Sequence, residues 1–375
     1  LIHNLIHRFC GLFGKEFYGE VDMLVGSKNY RTIEASEDRS FVKIIDQTCL
    51  PFKFKIIHLK TLDEVVRAIK NMQVRGAPLI GVTAAYGFAL SMNCDNSDNS
   101  LDKCKNDLVN ARPTAVNLSW AVNQVYDALI KCPPKERAEL GWDLATSFAN
   151  QDVEKNISIG LHGYNLFKPS NKKTINILTH CNAGWLATVD HGTALSPIFK
   201  LFDEGFDVHV WVDETRPRNQ GLSLTAWELS QYKIRHTVVT DNAGGLLMKE
   251  GLVDFVIVGA DRVALDGQVC NKIGTYLKAV VAKENNIPFY VAAPVSTIDI
   301  NFSGEIRNFE IECRDPSEIM TMKGEDKLGN IIEVNLGNST SYNPAFDITP
   351  PMYVSKFICE KGVFDSDKIR DIIKP

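Results

Sequence analysis

The sequence predicts an α/β protein: a Rossmann-like C-terminal domain with a parallel sheet, preceded by a mostly helical N-terminal domain carrying a small antiparallel sheet. Three observations carry this reading. Short apolar runs begin near residues 175, 207, 236, 254 and 287, and a helical segment follows each. Alternation of this kind specifies a parallel, doubly wound sheet. Before residue 168 only two strand-like runs occur, 41–46 and 54–59, on either side of the turn at Pro51, and they lead into successive helical patterns. Lys168-Pro169-Ser170 marks the change of grammar. The expected domains are therefore 28–168 and 169–375. Residues 1–27 are mixed apolar and aromatic without a period, a poor match to a signal peptide, and form an extension outside both.

Taken in order, Thr61-Leu62-Asp63-Glu64 is a capping box, in which Thr61 accepts from a free helix N–H and Glu64 reaches back. Leu62, Val65, Val66 and Ile69 follow at helical spacing. Pro78 suits the first turn of the next helix, and Gly81, Ala84, Ala85, Gly87 and Ala89 keep it slim enough to pack closely. The polar stretch 93–106 reads as a surface loop. Val116, Trp120, Val122, Val125 and Leu129 mark a further helix, ended by Pro133-Pro134, and a long helix covers 135–165. The five C-terminal runs give strands at 175–178, 206–212, 236–239, 255–258 and 288–291. Residues 299–352 read as irregular, and a terminal helix is expected near 366–373.

Composition narrows the function. Of 375 residues, 45% are hydrophobic and 23% charged, with a net charge of -5, an ordinary balance for a chain that binds something small. No basic tract exceeds two residues, so nucleic acid is not indicated as a partner. Nine scattered cysteines, none spaced as C-x-x-C, argue against a disulfide framework and a zinc site, and point to a reducing, cytoplasmic setting. Eight of them read as buried small hydrophobes. No apolar run approaches the roughly 18 residues of a membrane-spanning helix. Neither G-x-G-x-x-G after the first parallel strand nor G-x-x-x-x-G-K-[ST] is present, so neither a dinucleotide nor NTP hydrolysis is indicated.

Open α/β sheets bind ligands beyond the carboxyl ends of their strands. There the sequence places His180, Cys181 and Asn182 after the first strand, the charged loop 213–220 after the second, and 241–245 after the third. Ala260, Asp261 and Arg262 follow the fourth. Cys181 and Asp261 are thus expected to face each other across a small-molecule site. His180 points away from its neighbour on an extended chain and reads as local support. Asp261 has two plainer readings, an ion pair with Arg262 or a helix cap. Arg75-Gly76-Ala77 before a helix is either a tight turn or an anion site of backbone N–H groups and a guanidinium. Asn271-Lys272, expected to enter the helix after the fourth strand, is either a donor set or a solvated pair. Trp185, Trp227 and Tyr276 read as packing.

Seven stretches then occur in order: 74–78, 112–118, 179–184, 213–217, 224–229, 258–262 and 271–276. They include Val74-Arg75-Gly76-Ala77-Pro78, Thr179-His180-Cys181-Asn182-Ala183-Gly184 and Val258-Gly259-Ala260-Asp261-Arg262. From about residue 30 to 349 the chain resembles the S-methyl-5-thioribose-1-phosphate isomerase family of methionine salvage, whose fold is shared with regulatory subunits of translation initiation factor 2B. The resemblance implies an aldose–ketose isomerase that converts S-methyl-5-thio-α-D-ribose 1-phosphate to S-methyl-5-thio-D-ribulose 1-phosphate. It implies Cys181 and Asp261 as the catalytic pair, and substrate contacts at Arg75, Gly76, Ala77, Arg112, Gln220, Asn271 and Lys272. It also implies a homodimer that uses no nicotinamide or metal, with its site in the cleft between the domains. Two rivals share the fold: an isomerase of ribose 1,5-bisphosphate or 5-deoxyribose 1-phosphate, and a non-catalytic regulatory subunit. The chain departs from the family pattern at Gly221-Leu222-Ser223, at Ala243 after Asn242, and at Trp185. These positions bear on pocket shape rather than on the catalytic pair.

Overall fold

The computed structural model describes residues 23–113, 115–168, 174–300 and 311–373. The change of grammar expected at 169–170, the first 22 residues of the expected extension (Cys10 among them) and Thr114 lie outside the described residues. A short hairpin, β1 (Leu24–Val25) and β2 (Lys28–Asn29), precedes a three-stranded antiparallel sheet of β3 (Ile33–Ala35), β4 (Val42–Ile45) and β5 (Ile56–Leu59). The expected capping box is present at the start of α1 (Leu62–Lys70), with both Thr61 and Glu64 engaged. Replacing such a cap by alanine costs about 1 kcal/mol.

Helix α2 (Ala77–Cys94) is the axis of the N-terminal core. Its small residues do what their size allows: a Cβ on Gly87 would press on Val65 and Leu108, and one on Gly141 of a neighbouring helix would press on Ala89. Contrary to the sequence expectation, α2 is an uncharged apolar run long enough to cross a membrane. It is instead a core helix, with 78% of its span buried inside the protein. The expected loop at 93–106 is also corrected. Residues Asp98–Val109 form α3, capped by Ser97, whose Oγ accepts from Ser100 N. Leu101, Cys104 and Leu108, at helical spacing, bury its inner face. Only three apolar residues were needed, too few to outweigh the polar composition on reading. Helices α4 (Val116–Leu129) and α5 (Arg137–Phe167) complete this half. Trp120 of α4 lies outside the core at 40% exposure, stacked on Phe148.

The long α5 joins the two halves. Trp142, Ala145 and Ala149 belong to the N-terminal core, whereas Ile159 and Phe167 pack with the large sheet. Gly160 and Gly163 let it approach α6 (Ser196–Asp203), since a Cβ on either would strike Ser196 or Pro197.

The expected parallel strands are β6 (Thr174–Thr179), β7 (Asp207–Asp213), β8 (Arg235–Val239), β9 (Phe255–Val258) and, after a hairpin, β12 (Phe289–Ala292). That hairpin is β10 (Arg262–Ala264) and β11 (Val269–Lys272). Helices α7 (Ala226–Gln231), α8 (Ala243–Lys249) and α9 (Thr275–Glu284) cover the sheet. The region expected to be irregular is partly ordered in strands: β13 (Ile298–Asp299), the hairpin β14 (Thr321–Glu325) and β15 (Ile331–Asn335), and β16 (Phe346–Thr349). A short helix, α10 (Ser317–Met320), precedes β14. Strands β13, β10, β11 and β16 make a second sheet in that order. Strand β17 (Lys356–Cys359) then joins the large sheet parallel to β12, β18 (Gly362–Phe364) pairs with it antiparallel, and α11 (Ile369–Ile372) follows. The large sheet runs β18-β17-β12-β9-β6-β7-β8.

Candidate active site

Beyond β6 the chain turns sharply, and Cys181 takes φ +64, in the left-handed region. Two hydroxyls hold the turn. Cys181 N donates to Thr215 Oγ1 at 2.8 Å, and Thr225 Oγ1 donates to Cys181 O at 2.7 Å. The preceding His180 is fully engaged, as its supporting role predicts: Nδ1 lies 2.9 Å from Asp213 Oδ2 and Nε2 2.8 Å from Ile273 O. Gly274 has φ +102, and a Cβ there would come within 3.1 Å of the His180 ring. Lys278 Nζ lies 2.9 Å from Asp213 and donates to Asp241 O at 2.6 Å. His180, Asp213 and Asp241 converge closely enough to hold a cation, but the Lys278 ammonium already supplies the positive charge there.

Arg75 reaches the same turn from the N-terminal half. Its guanidinium donates to Asn182 Oδ1 at 2.6 Å and to Asn182 O at 2.8 Å. Asn182 in turn donates to Glu228 Oε1 at 2.8 Å, and Glu228 also accepts from Trp185 N at 2.9 Å and Leu186 N at 3.2 Å. Burial pushes the Glu228 carboxyl up to about 7. Gly184 is required by this carboxylate, because a Cβ there would overlap it. Gly76, with φ +98, begins α2 against Ala187, whose carbonyl oxygen a Cβ would meet at 2.3 Å. Its contact is thus with protein backbone, and Ala77 follows as the first residue of α2.

Asp261 follows β9, and its N–H donates to Cys270 O at 3.0 Å. Arg262 pairs with Asp299, not with Asp261. The expectation that Asn271-Lys272 enters a helix is corrected: both lie on β11, paired with β16. Lys272 Nζ donates to Ala345 O at 3.0 Å and sits 4.8 Å from the Phe346 ring centroid. The Asn271 amide donates to Thr275 Oγ1 at 3.0 Å.

Charge converges on the thiol. Cys181 is buried, and burial raises its pKa above the usual thiol value, while Arg75 and Lys272 pull it down and Asp261 pushes it up. Burial lowers the Lys272 pKa, opposed by Cys181 and Asp261 and reinforced by Arg112 and Arg75. The structure therefore gathers Arg75, Arg112, Cys181, Asp261 and Lys272 from both halves of the chain.

Arg112 is held more loosely. Its Nη2 donates to Glu312 Oε2 at 3.3 Å, and its buried Nε has no partner among the described residues. Gln220 is likewise buried with an unpartnered Oε1. It opens a π-helical turn, Gly221–Thr225, in which Gly221 packs on Asp213 O too tightly for any Cβ. Orphaned buried polar atoms are costly, and a polar ligand would satisfy them. Glu312 also accepts from Arg314 at 3.0 Å, and Glu318 accepts from Arg314 at 2.7 Å and from Arg218 at 2.8 Å. Glu228 and Glu312 had no role in the sequence reading. Glu228 lay inside a quoted motif, where its burial was the missing fact, and Glu312 stood in a stretch read as irregular. Of the aromatic residues read as packing, Trp185 is buried, Trp227 stacks on Phe54, and Tyr276, though 42% exposed, sets its ring edge-on to Tyr353. Cys94 and Cys313 are exposed, which corrects the reading of eight buried thiols.

The model of the initiation factor 2 subunit family matches residues 73–366. A methylthioribose-1-phosphate isomerase of Sinorhizobium medicae is 49% identical over 351 residues, covering 92% of this chain and 96% of the relative. The crystal structure of 5-methylthioribose 1-phosphate isomerase from Pyrococcus horikoshii superposes with a TM-score of 0.79 at 38% identity, covering 92% of this chain and 97% of that one. A structure described as subunit delta of translation initiation factor eIF-2B from A. fulgidus gives 0.74 at 40% identity, covering 89% and 96%. The chain belongs to the initiation factor 2 subunit family, alongside its methylthioribose-1-phosphate isomerases.

Proposed function

We propose that the chain isomerises S-methyl-5-thioribose 1-phosphate to the corresponding ribulose 1-phosphate, with Cys181 and Asp261 as the catalytic pair. The observation that carries the residue assignment is the convergence of Arg75, Lys272 and Asp261 on one buried thiol. The relatives named isomerases carry the substrate.

A furanose with a phosphate on C1 has no free aldehyde. Asp261 gives a proton to the ring oxygen as the C1–O bond breaks. Hydrogen passes from C2 to C1 with its electron pair, and the C2 hydroxyl returns a proton to Asp261 as the ketone forms. The sum is an isomerisation with no external oxidant or reductant. Burial keeps the Cys181 thiol protonated, which favours this route over one that uses Cys181 as a thiolate base on C2. The polarisable sulfur of the neutral thiol then faces the reacting carbons and stabilises the positive charge that develops on C1 as the ring opens. Arg112 and Lys272 hold the phosphate through charge-assisted donors, and this remote grip orients the sugar. Gln220 and Asn271 bind its hydroxyls. Arg75, Gly76 and Ala77 shape the wall that carries Asn182.

Cys181→Ser and Asp261→Asn should each lower turnover of the methylthio sugar by at least about a hundredfold, with the thermal melt retained. Wild-type rates in either variant would end the assignment. Comparing kcat/KM for the methylthio sugar, ribose 1,5-bisphosphate and 5-deoxyribose 1-phosphate tests the substituent at C5. We also propose a homodimer, supported by Leu246, Leu277 and Tyr276 exposed on α8 and α9. A monomer in sedimentation would refute it. A cytoplasmic setting is supported by the eight free cysteines among the described residues.

A further inference from the structure

We infer that Glu312 is the internal anion of the phosphate grip: its carboxylate occupies Arg112 before substrate arrives and yields that guanidinium to the phosphate. The inference rests on the reading of Arg112 as a phosphate contact.

Four features support the exchange. First, the Arg112–Glu312 bond is long at 3.3 Å, where a strong charge-assisted N–H···O bond is about 2.8 Å. It is therefore weak enough to be replaced. Second, Arg112 Nε is buried without a partner among the described residues, so the guanidinium has a second donor in place for a multidentate oxyanion. Third, Glu312 is not stranded when Arg112 leaves it, because Arg314 Nη1 donates to its other oxygen at 3.0 Å. Fourth, the backbone around it is fixed. Ala345 N donates to Glu312 O at 2.9 Å, Arg314 N donates to Asn343 O at 2.9 Å, and Arg216 Nη2 donates to Ile319 O at 2.8 Å. The exchange is thus a change of side-chain partner on a rigid frame, not a moving lid.

The same frame touches the second cation. Ala345, which binds the Glu312 carbonyl, also accepts from Lys272 Nζ through its own carbonyl. A phosphate bound by Arg112 and Lys272 therefore replaces the Glu312 carboxylate on Arg112. A group of weaker charge competes poorly with a resident carboxylate, so Glu312 acts as a specificity residue for the phosphate.

The test is the Kd of inorganic phosphate, measured by calorimetry on the full chain. Arg112→Gln should weaken it several-fold. Glu312→Gln should tighten it by about fivefold, the scale of a partly shielded ion pair. Arg314→Gln should weaken it, because the cation that draws Glu312 away from Arg112 is then gone. If Arg112→Gln weakens phosphate but Glu312→Gln leaves it unchanged or weaker, the inference is overturned and the reading of Arg112 stands. If Arg112→Gln changes nothing, that reading fails and takes the inference with it. Should Glu312→Gln not fold, Arg314→Gln decides: unchanged or tighter phosphate binding overturns the inference.

Discussion

Arg75 and Arg112 both come from the N-terminal half, and the resemblance gives both to the substrate. Arg75 is 8% exposed and donates twice to Asn182, whereas Arg112 touches Glu312 at 3.3 Å and keeps a buried Nε unpartnered among the described residues. The first is built into the wall of the site. The second keeps a donor to spare, and we propose that it holds the phosphate. Two arginines with the same motif-level prediction thus differ in how many donors the protein itself already satisfies, which is why we assign one to the scaffold and propose the other as the grip.

The comparison breaks most clearly on stability. Arg75→Ala should cost about 3–5 kcal/mol, because it leaves two buried Asn182 oxygens without their charged donor. A urea midpoint near wild type would show that Arg75 is not scaffold. Next comes the pH dependence of the wall. Burial lifts Glu228 from 4.5 in the unfolded chain to about 7 in the folded protein. The folded state therefore binds this proton more tightly, and stability falls as pH rises from about 4.5 to about 7. The fall is on the order of 3 kcal/mol. Glu228→Gln should lack that component, and parallel curves of urea midpoint against pH for the two proteins would refute it. Gly76→Ala should cost about 2 kcal/mol, since its Cβ meets the Ala187 backbone at a positive φ. The loss should appear in the melt, with KM following only as α2 shifts. Smallest is Arg112→Ala, expected to change stability by less than about 1 kcal/mol while raising KM for the sugar phosphate. A large loss of stability there would erase the distinction between the two arginines.

The elements legible in the sequence were those whose signal is local. Period and length placed β6 to β9, β12, the capping box at Thr61 and the long α5 within a few residues. Strand-end logic put Cys181 and Asp261 on one edge, and the ordered motifs supplied the partners. What could not be read depends on partners far along the chain. Lys272 looked like a helix entry because nothing nearby announces β16, with which its strand pairs across residues 346–349. Glu312 meets Arg112 across a gap of 200 residues. Helix α3 was missed because polar residues outnumber the three that bury it. Tyr276 packs on one side only, against Tyr353, and residue type alone does not say which face of α9 is left open.

The position of β17 bears on how the molecule is made. Its strand, 356–359, lies beside β12, and Cys359 O receives His162 Nδ1 of α5 at 2.9 Å. During synthesis, every candidate site residue described above, from Arg75 to Glu312, leaves the ribosome before this strand does. Until it arrives, β12 presents an open edge, a template for pairing with another chain. A ribosome stalled before residue 356 would thus carry a chain with its chemistry assembled in sequence but its sheet unsealed.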